Sequence, residues 1–146
     1  MQFNNLLPVI TLPRGISKMV KSTITLIKRL YTAYFWSWNG LKYAYRTQWA
    51  FRFELLLVIV SFPAAYFIAT TVTEFIIMMS AIFLLPILEL LNTAVETTVN
   101  RISFEYHELS GLAKDLGSST LFCTGGLAFF IWSIYIIRRL VNWYFV

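Results

Sequence analysis

Three apolar stretches, from about Phe53 to Thr71, Glu74 to Val99 and Ser118 to Ile137, each have roughly the 20-residue length that carries a helix across a bilayer. Together they take up nearly half of a 146-residue chain and leave little polar surface to cover a water-soluble globule. Charged residues make up 13% of the sequence, against about 25% in ordinary soluble domains, and the mean hydropathy is +0.67. The fold class expected is an all-α integral membrane protein. A disordered tail, a collagen-like rod and a disulfide scaffold are excluded. The single cysteine, Cys123, has no internal partner and sits in an apolar run, where it is expected to pack.

Charge sets the expected topology. Eight basic residues, Arg14, Lys18, Lys21, Lys28, Arg29, Lys42, Arg46 and Arg52, precede the first apolar stretch. None lies between the first and second, whereas Arg101 and Lys114 lie between the second and third. Basic segments stay on the cytoplasmic side, so the N-terminus and the second connection are expected inside and the first connection outside. Arg138 and Arg139 then fall outside, with stems long enough to snorkel to the headgroups. A basic N-terminal region in such a chain meets anionic lipid; no nucleic-acid partner is expected.

Residues 1–14 read as an irregular N-terminal extension and 15–146 as a single membrane domain. From 15 to 46 the pattern is an amphipathic helix. Ile16, Met19, Val20, Ile24, Ile27, Leu30, Tyr31, Tyr34 and Trp38 share one side, and Lys18, Lys21, Lys28 and Arg29 the other. A basic face opposite an aromatic-rich apolar face suits the membrane interface. Gly40 is expected to bend the chain after it, and Pro63 is a tolerated kink in the first span. Trp132, Tyr135, Trp143 and Tyr144 fit an aromatic belt.

The second span carries what a membrane helix should lack. Glu89, Asn92, Glu96 and Asn100 recur at spacings of three and four and form one polar stripe. A carboxylate in hydrocarbon costs several kcal/mol unless paired, hydrated or metal-bound, so two of them point to a cation-binding or proton-accepting site. Pro86, one turn earlier, frees the carbonyl of Ile82. The segment from Arg101 to Ser118 then reads as a cytoplasmic loop holding Glu105, His107, Glu108, Lys114 and Asp115. Lys114 suits a phosphate as a point charge, and Glu105 and Glu108 suit a sugar hydroxyl or a hydrated metal. No glycine-rich phosphate loop is present, which excludes an ordinary nucleoside-triphosphatase fold. A cation or proton transporter using Glu89 and Glu96 accounts for the stripe but leaves the loop unexplained.

The segments ELLNTAVE and NRISFEYHELSGLAKDLGS resemble the signature of the prokaryotic diacylglycerol kinase family, and the resemblance extends from about Arg29, through NGLKYAYRTQWAFRFE, to the end. It implies a homotrimer whose subunits each have an interfacial helix and three spans, with active sites shared between subunits. It implies transfer of the ATP γ-phosphate to the primary hydroxyl of diacylglycerol, with Mg²⁺, giving phosphatidic acid at the inner face of the bacterial cytoplasmic membrane. Related kinases act on undecaprenol, the alternative lipid. By position, Glu89 matches the family's general base, Glu96 a metal-binding carboxylate and Asn92 a polar residue beside it. Arg29, Glu105, Tyr106, His107, Lys114 and Asp115 match nucleotide contacts, while Arg52, Glu54 and Ser118 fall near the lipid.

Two departures from the family pattern stand out. Gln48 replaces a carboxylate that pairs with the Glu96 position on the metal, and Asn100 replaces an aspartate. A neutral amide oxygen is a weaker ligand for a hard cation than a carboxylate, so the metal site is expected to be weakened. Six residues along one helix, Glu54 points about 120° away from Gln48 and cannot take its place. Tyr34, Asn39 and Phe53 also differ from familiar members. These departures leave open a kinase-like lipid-binding or assembly protein that has lost turnover.

Overall fold

The computed structural model describes residues 14–145, with side chains from residue 22 onward; the reading of residues 1–13 as an irregular lead lies outside them. Four helices follow one another: α1 (Arg14–Thr47), α2 (Trp49–Ile68), α3 (Val72–Ile102) and α4 (Glu108–Phe145). No strand occurs among the described residues. Of the four, α2, α3 and α4 are long and apolar enough to cross a membrane. α3 and α4 run longer than the apolar stretches themselves, continuing through polar residues such as Asn100 and Arg101 on α3 and Glu108 to Asp115 on α4.

The chain divides into two units, one ending at Gly40 and one beginning at Leu41. In the first, Ile24, Ile27, Leu30, Tyr31, Tyr34 and Trp38 are all exposed. Tyr31 and Phe35 pack ring against ring at 4.7 Å. The helix runs through Gly40 without a break, contrary to the bend expected there. A mid-helix glycine costs only about 1 kcal/mol relative to alanine, too little to end a 34-residue helix.

The break comes at Gln48, which is extended at φ −104° and ψ 113°. Its N–H still donates to the carbonyl of Ala44 at 2.8 Å, and its side chain does not cap α2. Gln48 therefore precedes the helix that carries Glu54. The helical-phase argument relating these two residues does not apply.

Within the second unit α3 is the middle helix, packed against α2 on one side and α4 on the other, with little direct contact between those two. Ala65, Met78 and Met79 form the buried core of this packing, joined by Val58, Phe75, Ile131 and Trp132. Trp132 donates its indole N–H to the carbonyl of Met78 at 3.1 Å. Trp132 thus packs between helices, and Tyr135 packs on the same core. Trp143 and Tyr144 remain exposed. Cys123 is exposed on α4, so it does not pack inside this chain as expected. Pro86 is buried in an uninterrupted α3.

The α2–α3 turn is closed by side chains. Thr71 accepts from the N–H of Glu74 at 3.3 Å, and Glu74 Oε2 accepts from both the N–H and the hydroxyl of Thr70 at 2.9 Å. This reciprocal pattern resembles a capping box, in which a threonine and a glutamate three residues on satisfy the free donors of a helix start. Arg138 reaches the cluster from α4, pairing with Glu74 and donating to Thr70 Oγ1 at 2.9 Å. Its charge is thus paired within the protein.

Candidate functional site

The polar stripe of α3 is real in three dimensions and its upper part is buried. Glu89 is 4% exposed and Asn92 7%, while Glu96 and Asn100 are half-buried. From Glu89 to Asn100 the stripe extends about 16 Å along the helix axis. Asn92 Nδ2 donates to Glu96 Oε1 at 3.1 Å, one turn further on. Since a carboxylate can only accept, the amide nitrogen must face Glu96 and the amide oxygen the other way.

Glu54, on α2, is buried beside Glu89 and close enough for the two charges to repel each other when both are ionised. The residue assigned to the lipid by resemblance is thus a buried carboxylate coupled to the stripe. Oε2 of Glu54, Oε2 of Glu89, Oδ1 of Asn92 and Oγ1 of Thr93 are all buried without a hydrogen-bond partner. Buried polar atoms are paired in the great majority of cases, so these four, three on α3 and one on α2, mark a polar site between the two helices. Thr93 escaped the sequence reading because hydroxyls are common in membrane helices, where they return a hydrogen bond to their own backbone.

Where α3 ends, the connection to α4 is short. It covers only residues 103–107, and α4 begins at Glu108. Lys114, Asp115 and Ser118, expected in a loop and at the start of a span, lie on this helix. The reason is visible at His107, whose Nδ1 accepts the N–H of Leu109 at 3.2 Å and so serves one of the free donors of the helix start. Ser103 Oγ likewise accepts the N–H of Glu105 at 2.9 Å. With α4 started this early, Lys114 faces back across the connection and donates to Asn100 Oδ1 at 2.8 Å.

Asn100, Ser103, Glu105, Tyr106, His107 and Lys114 line a pocket of about 240 Å³ at this end of the bundle. The nucleotide-assigned residues Glu105, Tyr106, His107 and Lys114 are therefore brought together. Asp115 and Ser118 are exposed on α4 outside that lining, and Arg52 is exposed on α2. Arg29 belongs to the first unit, where it lines a shallow cleft with Lys28, Thr32 and Trp36. A larger cleft of about 460 Å³ lies at the opposite end of α3, walled by Phe62, Tyr66 and Phe75, far from the acidic stripe.

Among the described residues no three acidic, histidine or cysteine side chains gather as a metal cage. Magnesium is commonly held by one or two carboxylates together with substrate phosphates. Glu96, with one oxygen fixed by Asn92, is compatible with that arrangement; Gln48 makes no hydrogen bond to Glu96.

Helices of this length around a buried acidic stripe define a polytopic membrane protein with a polar site built on its spans. The model of the family described as prokaryotic diacylglycerol kinase matches residues 35–136. A diacylglycerol kinase of Haemophilus influenzae is 45% identical over 103 residues, covering 65% of this chain and 87% of the relative. One from Escherichia coli is 37% identical over 106 residues, covering 73% and 87%. One from Pseudomonas aeruginosa is 41% identical over 98 residues, covering 67% and 80%. The chain belongs to the prokaryotic diacylglycerol kinase family.

Proposed function

We propose that this protein transfers the γ-phosphoryl group of ATP to the primary hydroxyl of diacylglycerol, forming phosphatidic acid at the cytoplasmic face of a bacterial inner membrane. The observation that carries this reading is Glu89: a buried carboxylate with an unpartnered oxygen, on the helix face that leads to the lysine-lined pocket. The hydroxyl oxygen attacks the γ-phosphorus, the bond from phosphorus to the β–γ bridging oxygen breaks, and ADP leaves. Glu89 takes the hydroxyl proton as general base. Lys114, Glu105, Tyr106 and His107, with Asp115, hold the nucleotide. Arg52, Glu54 and Ser118 border the lipid. Mg²⁺ bound with the nucleotide would neutralise phosphate charge, and Glu96 would be its carboxylate ligand, with the amide of Gln48 the weaker second ligand that the resemblance implies. The four buried unpartnered atoms support completion of the site by neighbouring subunits, as in the homotrimer that the resemblance implies.

Phosphate transfer to diacylglycerol or undecaprenol in mixed micelles with Mg²⁺ tests this reading. Diacylglycerol is expected to be the better acceptor, and Glu89→Gln is expected to lower turnover by about 100-fold or more without changing detergent-state thermal stability downward. No transfer by the native chain, with recovery in Gln48→Glu, identifies instead a scaffold that has lost turnover. Faster transfer to undecaprenol reassigns the lipid.

A further inference from the structure

Gly117 stands in the interior of α4, where a glycine costs helix stability relative to alanine. At Gly125 and Gly126, further along the same helix, an added Cβ meets nothing within 4 Å. At Gly117 it collides with Asn92 Oδ1, and it sits 3.4 Å from Asn92 Cγ. Asn92 is buried, its Oδ1 has no hydrogen-bond partner, and its Nδ2 holds Glu96 at 3.1 Å. The α4 backbone thus approaches α3 at the residue whose amide orients the stripe carboxylate.

The geometry points to Gly117 as a positioning residue: its missing side chain lets the α4 backbone close on Asn92 and hold that amide in the rotamer that fixes the Glu96 carboxylate. This rests on the proposed function only for what Glu96 does; the positioning itself is a statement about three side-chain positions. The atom in the way is the far end of a flexible side chain, so a methyl group at 117 displaces Asn92 without unpacking the helices. The consequence is selective. Glu96 loses its donor and becomes free to rotate, while the fold gains the helix preference of alanine. Residues that orient a metal ligand typically change metal affinity or activity by about 10–100-fold when altered.

The experiment compares the native full chain with Gly117→Ala, Asn92→Ala and the double variant in detergent micelles. The first readout is independent of activity: the side-chain NH₂ resonance of Asn92 and the carboxyl ¹³C resonance of Glu96, assigned through the Asn92→Ala and Glu96→Gln spectra. Both resonances are expected to move in Gly117→Ala, with the thermal midpoint unchanged or raised. Unmoved resonances overturn the proposal whether or not the chain is a kinase. The second readout is the Mg²⁺ concentration giving half-maximal phosphate transfer. It is expected to rise about 10-fold or more in Gly117→Ala and equally in Asn92→Ala. It rises no further in the double variant, while the KM for lipid stays constant. Additive effects of the two substitutions also overturn it. If the native chain transfers no phosphate, the function proposed above fails while the resonances still decide the role of Gly117.

Discussion

Trp132 on α4 donates its indole N–H to the backbone carbonyl of Met78 on α3 at 3.1 Å, and Met78 is the largest completely buried side chain of the bundle. That one bond joins the two most extensively packed helices, about one turn from the Glu74–Arg138 pair. A carbonyl inside a helix already accepts from the residue four positions on, so the indole takes its second lone pair. No other helix-to-helix bond in this region involves a backbone group among the described contacts.

Trp132→Phe keeps an aromatic ring in the core but removes the donor. A hydrogen bond in such a site contributes about 1 kcal/mol net, to which lost ring volume adds. The expected result is a lowered thermal midpoint in detergent, with the Mg²⁺ dependence and lipid KM of any kinase activity unchanged, since Trp132 is remote from the stripe. Circular dichroism melting and initial-rate assays check both parts.

Arg138 and Glu74 tie α4 to the α2–α3 turn, with Thr70 bonded to both. Removing either charge should loosen the turn, and removing both should cost less than the sum of the single changes. Arg138 is exposed, so the contribution of the pair should shrink as salt is added. Thermal midpoints of Glu74→Gln, Arg138→Gln and the double variant at low and high ionic strength measure the coupling. Arg139, one residue on, is the control: Arg139→Gln is expected to leave the midpoint unchanged.

Asn100 holds the Lys114 ammonium at 2.8 Å through a neutral oxygen, so the lysine keeps its full charge for an anion in the adjoining pocket. Asn100→Ala releases the side chain to solvent. The expected outcome is a several-fold higher KM for ATP with an unchanged KM for diacylglycerol, because a flexible lysine must be ordered again on binding. Asn100→Asp supplies a charged acceptor that competes with phosphate for the same ammonium, and it is expected to raise the KM for ATP and its sensitivity to salt. Equal KM values for both variants and the native chain refute this role for Asn100.

The residues differ in how far they could be read in advance. Glu89, Asn92, Glu96 and Asn100 were legible as a stripe because helical periodicity is a property of the chain alone. The three spans were legible because bilayer thickness sets a length that any apolar segment must meet. The partner of each stripe residue was not legible. Asn100 read as part of a weakened metal site from its spacing and the family pattern, yet it bonds to Lys114, 14 residues away, across a connection that is much shorter than it looked. His107 read as a nucleotide contact, and its Nδ1 accepts a backbone N–H at the start of α4. A cap depends on where the backbone turns, and a single charged or polar residue in a polar segment does not reveal that.

Composition, span length, the phase of the polar residues and the signature of residues 89 to 119 were determined by the sequence by itself, because each depends on local chain geometry or on the solvent the chain must enter. The tertiary structure alone decided that the chain leaves helical conformation at Gln48 and not at Gly40, that Glu54 joins Glu89 in a buried acidic pair, and that Gly117 closes on Asn92. Each of these is a contact or a turn between segments. Its energy comes from which neighbours meet, and neighbours are chosen only when α2, α3 and α4 pack.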